Sequence, residues 1–573
     1  MEEQVPSSAN ILVIGGGPAG SYAATVLARE GFEVTLLEKD VFPRYHIGES
    51  MLPSCRPFLK FIDCEEKLKN HGFTIKPGAA VKLNQYKREG YTDFISTNPD
   101  NAAWNVVRSE FDELLLRHAS EMGVHVYEGV RVEEIHFTPD EPTRPVSLTW
   151  SKEDKTRGKV SFNWLVDASG RNGLMSTRYL KNRTFNRTLR NVAVWGYWTD
   201  ETGWAWFIPL HNGTTSVGVV LVEEESKRKK AQYRSEFNEK SLSEIQHDCY
   251  MADLQRVPGL IRLLGTATFE GKLTSAGDYN YHATEYAGPN FRLAGDAGGS
   301  PISSNILTRL KLTLTSLAFI DPFFSSGIHL ALTGGLSAAS TIAASIRGNC
   351  TEAEACGFHS SKVGTAYTRY EIFKGMSAHL LIAKYPSFLL VVLGVYKQIR
   401  SQETAVLYEV DEDNFDNAFH FLRPVIQGCA DADEGLTEAE LQNTLDFCRN
   451  VFAPTQPETH EAAIQRLGSL ADPDGPLLDT DTIDKLTGTD MEAKHALWKI
   501  NARKPLHSMY DCKRNFGTEI INGFYVKMEQ GMLGLGHFFV ELGQILLISG
   551  ALAGLDRIHM HPYLCGSCTK AYD

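Results

Sequence analysis

The chain has 573 residues, 43% of them hydrophobic, and carries 57 basic against 70 acidic residues, a formal net charge of −13. So much apolar material excludes a globally disordered chain. The acidic balance excludes a general nucleic-acid binder, which needs basic excess to displace counterions.

In chain order, "MEEQVPSSANILVIGGG" has neither a basic n-region nor an apolar h-region, so no secretory signal is expected. "ILVI" reads as a short buried strand, Pro18 to Glu30 as a helix ended by Gly31, and "EVTLLE" as the next strand. Between strand and helix, "GGGPAG" sets Gly15, Gly17 and Gly20 in G-x-G-x-x-G register. Glycines there permit a tight turn, close approach of a pyrophosphate and close helix packing, while the helix N-terminus attracts the negative charge. Glu38 ends the second strand 18 residues past Gly20, placed to accept hydrogen bonds from an adenosine ribose. A bound dinucleotide is therefore expected.

A second helix is expected near Ser109, with Ser109 and Asp112 as an N-terminal capping pair. Its apolar stripe is Phe111, Leu114, Leu115, His118 and Met122. Strand-like segments run from Val124 to Val220, including "LVDASG", which turns after Asp167, and "GWAWFIPL". Period-two spacing points the indoles of Trp204 and Trp206 the same way, which for an arbitrary Trp-x-Trp means a core or edge strand closed by Pro209. "FRLAGDAG" is a further strand ending in Gly295-Asp296.

After Phe319 the chain turns helical, with "HLALTGGLSAASTIAASIRG" stopping at Gly348, and from about residue 352 it reads as mostly helical. The polar stretch near 453–480, with Pro454, Pro457, Pro473 and Pro476, is a loop within that part. The organisation expected is residues 1–350 as an α/β core, 351–530 as a helical region and 531–573 as an apolar tail. Lys384 and Pro386 interrupt one long apolar stretch, and Glu541 and Gln544 another, so neither makes a clean span of about 20 residues and no membrane contact is expected. Ten scattered cysteines fit reduced thiols in a cytoplasmic protein. Cys565 and Cys568 form a lone C-x-x-C without a second pair at ligand spacing, so no metal centre is expected.

The order of the glycine fingerprint, "LVDASG" and "FRLAGDAG" resembles the two-dinucleotide-binding-domain FAD proteins related to aromatic hydroxylases. The resemblance implies an α/β fold of that class, with FAD as cofactor and Asp296 on its ribityl chain. "RYHIGES", "GFTIKPGAAVKLNQ", "NVVRSEFDELLLRHA", "GWAWFIPL" and "FIDPFFSSG" together resemble flavin-dependent halogenases, especially fungal enzymes acting on phenolic polyketides, over roughly residues 10–430. "GWAWFIPL" matches the family's W-x-W-x-I-P signature. Phe319, Pro322, Ser325 and Gly327 match its F-x-x-P…S-x-G signature.

The likeness implies that Gly15, Gly17, Ala19, Gly20, Glu38, Glu49, Ser50, Arg108 and Asp296 bind FAD. It implies that Trp204 and Trp206 wall the flavin off from the organic substrate, and that the amides of Ser326 and Gly327 hold chloride. Lys76, in "FTIKPG", would receive hypohalous acid, either polarising it by hydrogen bonding or carrying the halogen as a chloramine; Lys82 is the rival position. An aromatic small molecule is the implied substrate. Because one dinucleotide fingerprint is present, FADH2 is expected from a separate NAD(P)H-dependent flavin reductase.

Two departures matter. Tryptophan halogenases carry a glutamate where this chain has Phe324, which points to a substrate activated by its own phenol. Between the Gly-Asp strand and F-x-x-P lies "GSPISSNILTRLKLTLTSLA", residues 299–318, in which Ser, Thr and Leu supply 12 of 20 residues. It reads as a translated intron or as an inserted ribbon. The rival functions are an aromatic hydroxylase and a flavin-binding protein disabled by that insertion.

Overall fold

A computed structural model describes residues 4–81, 90–95, 99–185, 191–194, 203–236, 240–255, 257–270, 273–277, 281–283, 285–297, 325–375, 480–494 and 519–538, with short pieces at 462, 465–468, 478, 496–497 and 516. Lys82, Phe319, Pro322, Phe324, Cys565, Cys568 and the 299–318 segment lie outside the described residues.

The chain opens with β1 (Ser8–Ile14), α1 (Pro18–Arg29) and β2 (Val34–Leu37). All of β2 and the Ile11–Val13 stretch of β1 are buried, as strands covered on both faces require. Next come α2 (Cys55–Phe61), α3 (Glu65–His71), β3 (Thr74–Lys76), β4 (Gly78–Val81), β5 (Gly90–Asp93), β6 (Ala103–Asn105) and α4 (Arg108–Glu121). They are followed by β7 (His125–Tyr127), β8 (Arg131–Thr138), β9 (Glu141–Ser151) and β10 (Arg157–Asp167). After β11 (Arg183–Phe185), the strands β12 (Asn191–Val194), β13 (Gly203–Pro209) and β14 (Thr215–Val222) lead into α5 (Glu223–Glu236), α6 (Leu242–Gln255) and α7 (Pro258–Leu264). Short strands β15 (Ser275–Gly277), β16 (Tyr281–Ala283), β17 (Ala287–Gly288) and β18 (Phe291–Leu293) close this part.

The main sheet runs β17-β18-β10-β1-β2-β7, with β18, β10, β1, β2 and β7 parallel. Its parallel part is the doubly wound arrangement the sequence pattern predicts, with β1 central and the glycine turn at its carboxyl end. A second sheet, β13-β14-β12-β15, carries the tryptophan strand.

The later helices are α8 (Gly327–Ile346), α9 (Glu352–Gly375) and α10 (Thr480–Thr487). By length and composition α8 would pass for a membrane span, but most of it is buried inside the protein as a core helix. A Cβ on Gly335 would fall 2.7 Å from the Ala19 carbonyl oxygen, so α8 lies almost backbone to backbone on α1.

Two expectations change. Helix α4 begins at Arg108 behind Val107, with no side-chain cap. Asp112 is instead fully buried and accepts from Arg108 Nε at 2.8 Å and Arg44 Nη1 at 3.0 Å, because two guanidinium groups satisfy a buried carboxylate better than one amide does. The C-terminal region also contains a three-stranded sheet, β19 (Ile520–Ile521), β20 (Phe524–Lys527) and β21 (Gly534–His537). Asn522 and Gly523, at φ 52° and 81°, make the two-residue hairpin turn between β19 and β20.

Residues through Gly536 form one compact unit and His537–Asp573 another. The first unit is sealed end to end at Glu30, whose carboxylate accepts from the amides of Gly531 and Leu533 at 3.0 Å each and pairs with Arg347 at 2.9 Å.

Candidate active site

The dinucleotide turn is built from close backbone contacts. Gly15 has φ 104°, and a Cβ there would stand 2.3 Å from the Ala168 carbonyl oxygen; one on Gly20 would stand 1.9 Å from the Gly15 oxygen. Gly17 is the N-cap of α1 and offers no side-chain cap, leaving the first amides of the helix for a ligand. Ala19 is buried in the first turn. Glu38 accepts from the Gly16 amide at 2.6 Å and the Asp40 amide at 2.9 Å, which ties the turn to the end of β2.

Arg108 is the electrostatic centre of the next layer. It is buried, donates to the Ile47 carbonyl at 2.6 Å, and is held from behind by Asp112. Asp296 follows β18 in a short 3-10 turn; burial raises its pKa, against the opposing pull of Arg171, Arg108 and Arg183. Glu49 is also buried with a raised pKa, which a hydrogen bond with Ser216 and the charge of Arg108 partly offset. The loop before it holds His46, whose pKa burial and Arg108 push down to about 4.

Lys76 ends β3. Its Nζ donates to Ser50 Oγ and to the Met51 carbonyl, both at 2.9 Å, and lies 5.4 Å from the Phe94 ring centroid. Desolvation lowers its pKa from 10.5 to about 8. Ser50 in turn pairs with Asn105, whose Nδ2 reaches the Pro209 carbonyl at 3.3 Å.

Trp206 is half-buried and lies across Gly218, where a Cβ would come within 1.9 Å of the indole. Its Nε1 donates to Ser216 Oγ at 3.2 Å. Trp206 thus connects through Ser216 to Glu49, next to the serine that holds Lys76. Trp204 occupies the same strand opposite Val220.

At the start of α8 the positive φ, 56°, belongs to Ser325, and Gly327 is the first helical residue. A left-handed residue followed by a right-handed one aims successive amides into a small anion-binding concavity, so the backbone serves without a glycine at the turn. Among the described residues, nothing lies within 4 Å of a Cβ on Gly327, and the buried Ser326 hydroxyl has no protein partner.

Sequence reading missed His329, Ser216 and Asn105, which no local motif marks, and gave no role to Arg44 although it opens "RYHIGES". His329 Nδ1 lies 2.9 Å from Ser54 Oγ and joins the start of α8 to the Met51–Ser54 segment that receives Lys76. The Arg108–Asp112 pair was readable in its spacing of four on a helix.

The residues present suit a flavin dinucleotide. The glycine cradle has no room for side chains, and among the described residues the buried Glu49 Oε2 and Ser326 Oγ atoms have no protein partners. Fold and site together define an FAD-dependent flavoprotein of the monooxygenase and halogenase type.

A family model described as tryptophan halogenase matches residues 10–96 and 95–248. The flavin-dependent halogenase armH1 of Armillaria mellea is 85% identical, over 93% of this chain and 99% of its own length. The sulochrin halogenase gedL of Aspergillus terreus is 41% identical, over 93% of this chain and 94% of its own. Among solved structures, the flavin-dependent halogenase CmlS is 25% identical with a TM-score of 0.56, covering 78% of this chain and 77% of its own. The chain belongs to the flavin-dependent halogenases: it is an FAD-dependent oxidoreductase that acts on a halide and a small molecule.

Proposed function

We propose that this halogenase chlorinates an electron-rich phenolic ring of a secondary metabolite, with Lys76 receiving hypohalous acid. The observation that carries the reading is the part-buried amine of Lys76, fixed by Ser50 and Met51 beside Phe94, with a pKa of about 8. A phenolic substrate is supported by Phe324 at the position of the tryptophan-halogenase glutamate, and by a relative named for sulochrin.

Bound FADH2, with dioxygen, supplies the oxidising equivalents that turn chloride into hypohalous acid. Gly15, Gly17, Ala19, Gly20 and Glu38 hold the dinucleotide end of the cofactor, and Glu49, Ser50, Arg108 and Asp296 the flavin end. The Ser326 and Gly327 amides orient the halide, and Trp204 and Trp206 keep the organic substrate away from the flavin. Ser50 and Met51 hold the amine of Lys76 in a fixed direction for its meeting with hypohalous acid and substrate. A separate NAD(P)H-dependent reductase delivers FADH2. Cytoplasmic localisation belongs to the same proposal and is supported by the free thiols of Cys55, Cys64, Cys249, Cys350 and Cys356.

The test is Lys76→Ala, incubated with FADH2, chloride and a resorcinol-type phenol, with tryptophan as a control substrate. FAD content and flavin oxidation should stay unchanged while chlorinated phenol falls below detection by mass spectrometry. Substantial chlorination by the variant would remove Lys76 from the reaction.

A further inference from the structure

Away from this site, His71, Glu110 and His211 bring their ligand atoms within 4.8 Å of one another. His71 is the last residue of α3, Glu110 lies in the first turn of α4, and His211 opens the turn between β13 and β14. We propose that these three side chains form a binding site for a divalent transition metal of the zinc type.

Both imidazole Nε2 atoms face the same carboxylate oxygen: Glu110 Oε2 lies 2.7 Å from His71 and 3.2 Å from His211. Zinc with bonds of about 2.0–2.2 Å sets tetrahedral ligand atoms about 3.3 Å apart, so the cluster needs only a small expansion to admit the ion. The rings are already aimed. His71 stacks on Phe73 at 4.1 Å, Phe73 meets His211 edge-on at 5.2 Å, and the two imidazole planes cross at 71°. Two imidazoles and a carboxylate are the donor set of an open zinc site, with the remaining position left to water. All three side chains reach solvent, which gives the ion an entry path. The bound ion would clamp the β13–β14 turn to α3 and α4, two residues past Pro209 and five short of Lys76.

The full chain, stripped with a chelator and dialysed against Zn2+ or Co2+, tests this. One ion per chain should be retained, and Co2+ should give the visible bands of a nitrogen and oxygen site without a sulfur charge-transfer band. His71→Ala and His211→Ala should each abolish retention with FAD content unchanged. Glu110→Gln, which keeps the side-chain shape, should weaken it beyond the ~10–100-fold that loss of a second-shell partner costs. The metal should raise the melting temperature of the parent chain and not of the histidine variants. No retained ion, an ion kept equally by both histidine variants, or Co2+ held only with a sulfur band would overturn the proposal.

Discussion

Lys76 is held by three contacts and one cost. Ser50 and Met51 fix its direction, Phe94 accepts its charge, and desolvation disfavours that charge. Its folded pKa of about 8 lies below the ordinary 10.5, so the folded state releases the proton first. The lysine's contribution to stability therefore grows as pH rises from about 8 to 10.5, and is lost as pH falls through 8. Only about one tenth of the amine is neutral at pH 7 and about nine tenths at pH 9. If the neutral amine carries the halogen, single-turnover chlorination should climb through pH 8 to a plateau and Lys76→Arg should be inactive. A rate that falls across the same window would assign the ammonium form and a hydrogen-bonding role. The lysine itself was legible in "FTIKPG". The link between Glu49, beside Ser50, and Ser216 was not, because those two residues lie 167 positions apart in sequence with no shared pattern.

Elements carry the wall and the cofactor cradle. On β13 the indole of Trp206 occupies the space over Gly218 and hangs on Ser216 by its Nε1. Replacing Trp204 and Trp206 with alanine should raise hydrogen peroxide released per FADH2 consumed, while Trp206→Phe should restore much of the coupling. Unchanged coupling in the double variant would make the pair ordinary core residues. In the cradle, Gly335→Val would drive a branched side chain into the Ala19 carbonyl 2.7 Å away. That overpacking should cost about 1–3 kcal/mol and lower FAD occupancy, read by thermal melting and flavin absorbance; an unchanged melt would mean the two helices separate freely. Sequence periodicity gave α1, β1 and β2 because each is a buried run flanked by glycine. The β19–β20 hairpin was missed although its Asn-Gly turn is a strong signal, since the helical charge pattern around it dominated the reading.

At the scale of the molecule, the 299–318 segment separates in sequence Asp296, proposed for the ribityl chain, from Ser326, proposed for the halide beside the same flavin. Catalytic geometry tolerates about 0.5 Å of error, whereas loop closure adds only about 0.6 kcal/mol per doubling of length. Five leucines in the segment make it the less benign case, since apolar residues added to a loop favour association or misplacement over free solvation. Deleting Gly299–Leu317 should raise soluble yield, FAD occupancy and chlorination together, and mature transcripts should lack the segment. Transcripts that keep it, with full-length activity equal to the deletion, would establish it as a genuine ribbon.

The Glu30 junction sets a timetable for synthesis. Its amide partners, Gly531 and Leu533, leave the ribosome 501 and 503 residues later, a wait of roughly 25–100 s at about 5–20 residues per second. Until then the carboxylate at the end of α1 has, among the described residues, only Arg347 to answer it, and a chain released short of Gly531 lacks both amides that complete the junction.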